Sequence, residues 1–117
     1  MDHRVAEIAD WFMAQIGAPI VIRKEEQGDV DQVSMTVQKV SFLTGSPDRD
    51  DYVEENRLVL LGDGKIATEG DGGAAELPRH SYEIPLGPSF RSAIDERELQ
   101  VSTDRAFYRV VPQGPPQ

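Results

Sequence analysis

The sequence predicts an α+β fold: an N-terminal amphipathic helix packed on a strongly bent, mostly antiparallel sheet or partial barrel of about seven short strands. Three observations support it. An apolar stripe with helical spacing lies near the N-terminus, short β-branched or alternating runs follow it, and strands do not alternate with long helices. A twisted sheet of this size tends to curl, so we expect the helix to cover its open side. Residues 1–112 are predicted to form one globular domain and residues 113–117 a disordered tail.

The predicted helix runs from about Asp2 to Ile16. Its apolar residues recur at spacings of three and four and therefore share one face: Val5, Ile8, Ala9, Phe12 and Ile16. Asp2 can cap the first turn, Gly17 suits the left-handed position that ends a helix, and Pro19 prevents its continuation. Trp11 lies beside the stripe, where a tryptophan either covers the edge of the core or belongs to a surface that binds a protein partner.

A hairpin is predicted after the helix. The β-branched run 20–23 is followed by the turn residues 27–29 and by a second run, Val30 to Leu43. Apolar residues in the second run change face near residues 38–39. The first face carries Val33, Met35 and Val37, and the second carries Val40 and Phe42. A bulge or sharp bend at this point would bury both sets.

The middle of the chain is predicted to form a short hairpin with one loop before it and one after it. Residues 44–51 combine turn residues with acids and are predicted to form a solvated loop. Residues 57–61 and 65–68 are predicted to pair as a hairpin through Gly62-Asp63-Gly64, and the glycine-rich residues 69–78 form the second loop.

Three further strands are predicted towards the C-terminus. Residues 80–86 alternate with Tyr82, Ile84 and Leu86 on one face, and Phe90 returns to the core. Residues 97–102 also alternate, and a turn at residues 102–105 leads into the strand 106–111.

Composition and charge exclude several classes of function. The 117 residues include 21 acidic and 12 basic ones, giving a formal net charge of −9, which repels nucleic acid and anionic membranes. We expect no signal peptide and no membrane-spanning segment, and therefore a cytoplasmic location. The chain has no cysteine, which removes disulfides, thiolate metal sites and thiol nucleophiles. We expect no metal and no cofactor.

Each short motif that resembles a known functional site lacks a feature which that site requires. Residues 70–75 match the dinucleotide pattern G-x-G-x-x-A, but Pro78 prevents the helix that this pattern requires. Residues 48–52 supply acids without the glycine and final ligand of a calcium loop. His80 and Ser81 are adjacent on a strand and point to opposite faces, so they do not form a nucleophile and base, and no catalytic residue is assigned.

The arginines are the more specific signal. Arg97 is predicted to share the buried face of Leu99, and a three-residue turn would place Leu99 opposite Arg109, so that both guanidinium groups lie on one surface. These two residues would anchor a carboxylate or another small anion in a pocket lined by Tyr82, Phe90 and Tyr108. The alternative is that both arginines lie at the rim of the sheet and pair with some of the many acids.

Three functions follow, in order of preference. The first is a non-enzymatic accessory domain that binds a protein partner or associates with itself through exposed sheet edges or the surface at Trp11. The second is a domain that binds a small anion in the curved sheet. The third is a small enzyme that uses His80 or a carboxylate, because active sites assemble from residues distant in sequence.

Overall fold

The computed structural model describes residues 3–43, 56–68, 74–87 and 89–113, which contain one α-helix and ten strands. The helix, α1, spans His3–Ala14. The strands are β1 (Pro19–Glu26), β2 (Asp29–Thr36), β3 (Lys39–Leu43), β4 (Arg57–Leu61), β5 (Gly64–Thr68), β6 (Ala75–Glu76), β7 (Ser81–Pro85), β8 (Arg91–Asp95), β9 (Glu98–Ser102) and β10 (Phe107–Pro112). A 3-10 helix, Pro78–His80, precedes β7.

The strands form two antiparallel sheets. Seven strands are ordered β6-β5-β2-β1-β10-β9-β8, and three are ordered β3-β4-β7. The predicted α+β class and antiparallel pairing are confirmed, but in the described residues neither sheet closes into a barrel. The strand count was too low because β6 and β8 were not predicted and because the run 30–43 is two strands.

Most of the apolar stripe predicted for the helix is confirmed. Val5, Ile8, Ala9 and Phe12 are buried, and Gly17 has the left-handed φ of +90° expected after a helix. Ile16, however, is 46% exposed. The α-helix ends at Ala14, so Ile16 no longer follows the 3.6-residue period of the stripe. The predicted cap, Asp2, lies outside the described residues.

Trp11 belongs to the core. Its side chain is only 9% exposed and meets the ring of Phe12 edge-on, with the ring centroids 5.3 Å apart. The partner surface predicted at Trp11 therefore has little exposed ring to use. The core itself is one cluster that draws residues from α1 and from both sheets, so the helix and the two sheets enclose it together.

The first predicted hairpin is confirmed and extends into the centre of the larger sheet. Gln27 and Gly28 form the turn, with φ of +52° and +88°, as a two-residue type I′ turn requires. On its other side β1 pairs with β10, with Ile22 opposite Val110. Strands near the two ends of the described chain are therefore neighbours.

The predicted change of face near residues 38–39 is the point at which the chain changes sheets. Strand β2 ends at Thr36 in the larger sheet, and β3 begins at Lys39 in the smaller one. Both sets of apolar residues reach the core: Val33, Met35 and Val37 are buried, and Val40 and Phe42 pack against it.

The hairpin predicted for residues 57–68 is wrong. Strand β4 pairs with β3 and β7, whereas β5 pairs with β2 and β6. Gly62 and Asp63 carry the chain back to the larger sheet, beside the crossing at residues 37–38. The crossings are joined by hydrogen bonds from the Thr36 N–H to the Asp63 carbonyl (3.0 Å) and from the Gln38 N–H to the Leu61 carbonyl (2.7 Å).

The remaining predictions divide between confirmed elements and residues outside the description. Strand β7 and the pair β9–β10 are present, with Ile84, Leu86 and Phe90 buried. The loop 44–51, with its possible calcium ligands, and most of the loop 69–78 lie outside the described residues, as does the tail 114–117. Gln113 is held by a 2.9 Å hydrogen bond from its N–H to the Pro19 carbonyl.

Candidate functional site

The two predicted anchor arginines share a surface, but not the buried one. Arg97 lies in the exposed turn between β8 and β9, and Arg109 projects from the solvent-facing side of β10. The predicted pairing of Arg109 with Leu99 is wrong, because Arg109 lies opposite Gln100. The connection has four residues rather than three, and a one-residue shift moves every side chain of a strand to the other face.

This surface is already neutralised by acids. Arg97 and Arg109 line an open depression of about 410 Å³ together with Asp95, Glu96 and Glu98. The Arg109 Nε donates to Glu98 Oε2 and its Nη2 donates to Glu98 Oε1, both at 3.2 Å. Hydrogen bonds from Gln100 and then from Arg109 lower the pKa of Glu98. Arg109 thus has the surface ion pair that the sequence offered as the alternative to an anion site.

The three aromatic residues of the predicted pocket are packing residues. Tyr108 and Phe90 are buried, and Tyr82 packs against the core from β7. The Arg4 guanidinium lies 4.5 Å from the centroid of the Phe90 ring. Burial, followed by the nearby Tyr108, raises the pKa of Tyr82, and burial raises the pKa of Tyr108 to about 12. Both phenols are therefore protonated at neutral pH, and neither faces Arg97 or Arg109 across a common pocket.

A cavity of about 600 Å³ opens beside the two sheet crossings. Its polar lining consists of Ser34, Thr36, Asp63, Lys65, Glu76, His80 and Gln113. The His80 Nδ1 lies 2.8 Å from Asp63 Oδ1, and both side chains are largely exposed. This contact uses Nδ1, so Nε2 is the ring nitrogen that remains available to a ligand.

Backbone strain accompanies this histidine. Arg79 and His80 both adopt left-handed conformations, with φ of +55° and +52°, which are uncommon for residues with side chains. A 2.8 Å hydrogen bond from the Gly62 N–H to the His80 carbonyl holds this segment against the crossing. Ser81 is not paired with His80, since its hydroxyl bonds the Pro78 carbonyl at 3.3 Å.

The sequence reading missed the pair of Asp63 with His80 because it assigned Asp63 to a hairpin turn. Once β4 and β5 are placed in different sheets, Asp63 lies at a crossing next to the segment before β7. The pattern Gly62-Asp63-Gly64 could have indicated the crossing, because glycines also occur where two backbones approach closely.

The edge strand β8 is the second feature that sequence reasoning missed. In the described residues its one neighbour is β9, with Asp95 opposite Glu98 and Ala93 opposite Gln100. Four of its five residues are exposed, including Ile94 at 46%. Residues that flank a two-residue turn bond each other, and alternate residues of a strand direct their N–H and C=O to opposite sides. Ser92 and Ile94 therefore direct their backbone groups outward.

Metal and membrane sites can be assessed only for the part of the chain that the structure describes. There, no group of three or more His, Asp or Glu side chains is arranged to hold a metal ion. Over the same residues, no helix combines the length and apolar character that crossing a bilayer requires.

Comparison with known proteins gives two matches. The family described as "YmzB-like protein" matches residues 1–114. The chain is 37% identical, over 117 aligned positions, to a protein named "Uncharacterized protein YmzB" from Bacillus subtilis (strain 168). The alignment covers 94% of this chain and 96% of that relative. No solved structure matches the chain.

Proposed function

The chain belongs to the YmzB-like protein family, and for this member we propose a binding role, in which a non-enzymatic domain pairs its β8 edge with an extended strand of a protein partner. The observation that carries the proposal is the exposure of β8. Its outward N–H and C=O groups, at Ser92 and Ile94, are available to a further strand.

The other strand edges of the described residues are less suited to this pairing. Strand β6 has two residues, too few to guide a partner. Strand β7 ends in Pro85, which has no N–H to donate. Strands β3 and β8 both contact α1, and β3 does so more extensively. Strand β8 contains neither proline nor lysine, and natural sheets use both to block unwanted pairing.

Proline at residue 92 tests the proposal. Extended peptides that bind the unmodified protein are first selected from a random displayed library. We expect Ser92→Pro to weaken the binding of these peptides tenfold or more. The substitution removes an outward N–H while leaving the residues that bond β9 unchanged. Dissociation constants measured by biolayer interferometry give the result.

Ser92→Thr is the matched control, because it keeps the N–H and favours a strand. We expect peptide affinity to stay within about twofold of the unmodified protein, a change of under 0.5 kcal/mol. If the peptides bind Ser92→Pro and Ser92→Thr with equal affinity, the binding surface lies elsewhere and the role of β8 is refuted.

A second candidate is a binding site for a small carboxylate or phosphate in the cavity at the sheet crossings. The contact of His80 with Asp63, next to Lys65 and a strained backbone, favours this cavity over the depression at Arg109. Lys65 supplies positive charge, the His80 ring supplies a hydrogen-bonding nitrogen, and the cavity volume suits a small molecule. The enzymatic alternative would use the same histidine or a carboxylate.

Thermal denaturation with a panel of carboxylates and phosphates tests this candidate. A ligand that binds only the folded state raises the melting temperature, and we expect a rise that His80→Ala and Lys65→Ala both remove. Arg97→Ala, on the other surface, is the control and should keep the full rise. A panel in which no compound changes the melting temperature would count against a small-anion site.

A further inference from the structure

We infer that the strand that pairs with β8 is β8 of a second copy of this chain, running antiparallel and centred on Ala93. The inference rests on the proposed function of the β8 edge and names its partner. It follows from the order of charges in the strand, Arg91-Ser-Ala-Ile-Asp95.

The charges of β8 are complementary to themselves. In an antiparallel pair centred on Ala93, Arg91 lies opposite Asp95 of the second copy, and Asp95 lies opposite its Arg91. Residues directly opposite in an antiparallel pair project from the same face, so both ion pairs form on the solvent-facing side of the joined sheet. No other shared centre within the strand places both charges opposite their opposites.

In the described part of one copy both charges are exposed to solvent. Neither Arg91 nor Asp95 forms an ion pair there. Asp95 instead lies directly opposite another acid, Glu98, whose carboxylate is already bound to Arg109. Like charges directly opposite each other are unfavourable, so a cation supplied from outside the copy is favoured at Asp95.

The uncharged residues of β8 also suit this pairing. Ala93 is small and exposed, so the two strands can approach at the symmetry centre. Ser92 lies opposite Ile94 of the second copy, and their outward backbone groups supply the ladder hydrogen bonds. The exposed part of Ile94 is covered on both copies. The result is one continuous sheet of fourteen strands, seven from each copy.

The association should be weak. Five residues on each side bury little area compared with a stable dimer, and a net charge of −9 on each copy opposes the approach. We expect a dissociation constant on the order of 100 μM at physiological ionic strength. The interaction is thus suited to assembly at high local concentration.

Charge exchange between copies tests the register. Sedimentation equilibrium is measured from about 10 μM to about 1 mM, a range chosen to bracket the expected constant. We expect Arg91→Glu and Asp95→Arg each to weaken dimerisation at least tenfold, since symmetry turns both ion pairs into repulsive contacts. Mixed in equal amounts, the two variants should recover dimers, because every pair across that interface is again of opposite charge.

The matched control is Arg97→Glu, a charge change of the same size in the adjacent turn, outside the pairing. It should leave the dissociation constant within about threefold. Circular dichroism of each variant verifies folding, and both tested positions are exposed.

Two sets of outcomes separate this inference from the proposed function. A chain that stays monomeric at 1 mM, or single variants whose mixture forms no dimers, overturns pairing between copies. If selected peptides still lose affinity in Ser92→Pro, the β8 edge binds a different protein and the proposed function stands. Dimers insensitive to both Ser92→Pro and the charge changes overturn self-pairing, while peptides insensitive to residue 92 overturn the proposed function.

Discussion

Replacing Gly62 with alanine is expected to lower the free energy of unfolding by about 3 kcal/mol. The added Cβ would lie 1.9 Å from the Thr36 carbonyl oxygen and 3.3 Å from the Gln38 nitrogen. Both are backbone atoms, which cannot move aside by changing a rotamer. The two sheet crossings would have to separate, which also strains the hydrogen bonds that join them. Urea unfolding followed by the fluorescence of Trp11 measures the loss.

Gly17→Ala is the control for this substitution. Gly17 has a φ of +90°, but nothing lies within 4 Å of the position its Cβ would take. Its replacement therefore tests backbone conformation alone, and we expect a loss of about 1 kcal/mol. Equal losses in the two variants would show that the close approach of the crossings at Gly62 does not constrain the fold.

Truncating Phe12 is expected to lower the free energy of unfolding by about 4 kcal/mol. The side chain is fully buried, in a core shared by α1 and both sheets, and its ring also supports Trp11. Phe12→Ala removes this contact and leaves a cavity between the helix and the strands. Urea unfolding followed by circular dichroism is the suitable measurement, because the fluorescence of the neighbouring Trp11 would change for local reasons.

Met13→Ala tests whether the effect comes from burial. Met13 is on the same helix, but 48% of it is exposed, and alanine is a good helix former. We expect a change within about 0.5 kcal/mol. If Phe12→Ala cost no more than Met13→Ala, the helix would not be sealing the core.

The helix was readable from the sequence because its burial repeats along the chain. Val5, Ile8 and Phe12 mark a single face, and no distant residue is needed to interpret them. The change of face near residue 38 was readable for a similar reason, since two alternating runs out of phase require a bend. The sequence could not show that the bend leads into a separate sheet.

The pairing of the strands was harder to predict from the sequence, because it depends on residues that are distant along the chain. Gly62-Asp63-Gly64 suits a tight turn as well as a crossing, and the choice between them is made by β2, more than twenty residues earlier. The position of Arg109 depended on one residue in the turn before β10. Its side chain changed face when that turn proved to have four residues.

The candidate surfaces were hidden for different reasons. Strand β8 has one large apolar residue, Ile94, so its pattern is too weak to mark a strand, and its edge position follows only from the strand order. Asp63 and His80 are joined by the crossing rather than by any spacing in the sequence. Exposed strand edges and contacts made at crossings are properties of topology.

The pairing of β1 with β10 determines how the chain must fold. Glu25 and Phe107 are adjacent in the sheet although 82 residues separate them in sequence, and β1 and β10 are both interior strands. Closing so large a loop costs entropy before any contact compensates for it, and proteins rich in such contacts fold in milliseconds to seconds rather than microseconds. The β1–β2 hairpin can form early, but the second edge of β1 has unpaired backbone groups until β10 pairs with it. During that interval the chain is most susceptible to aggregation.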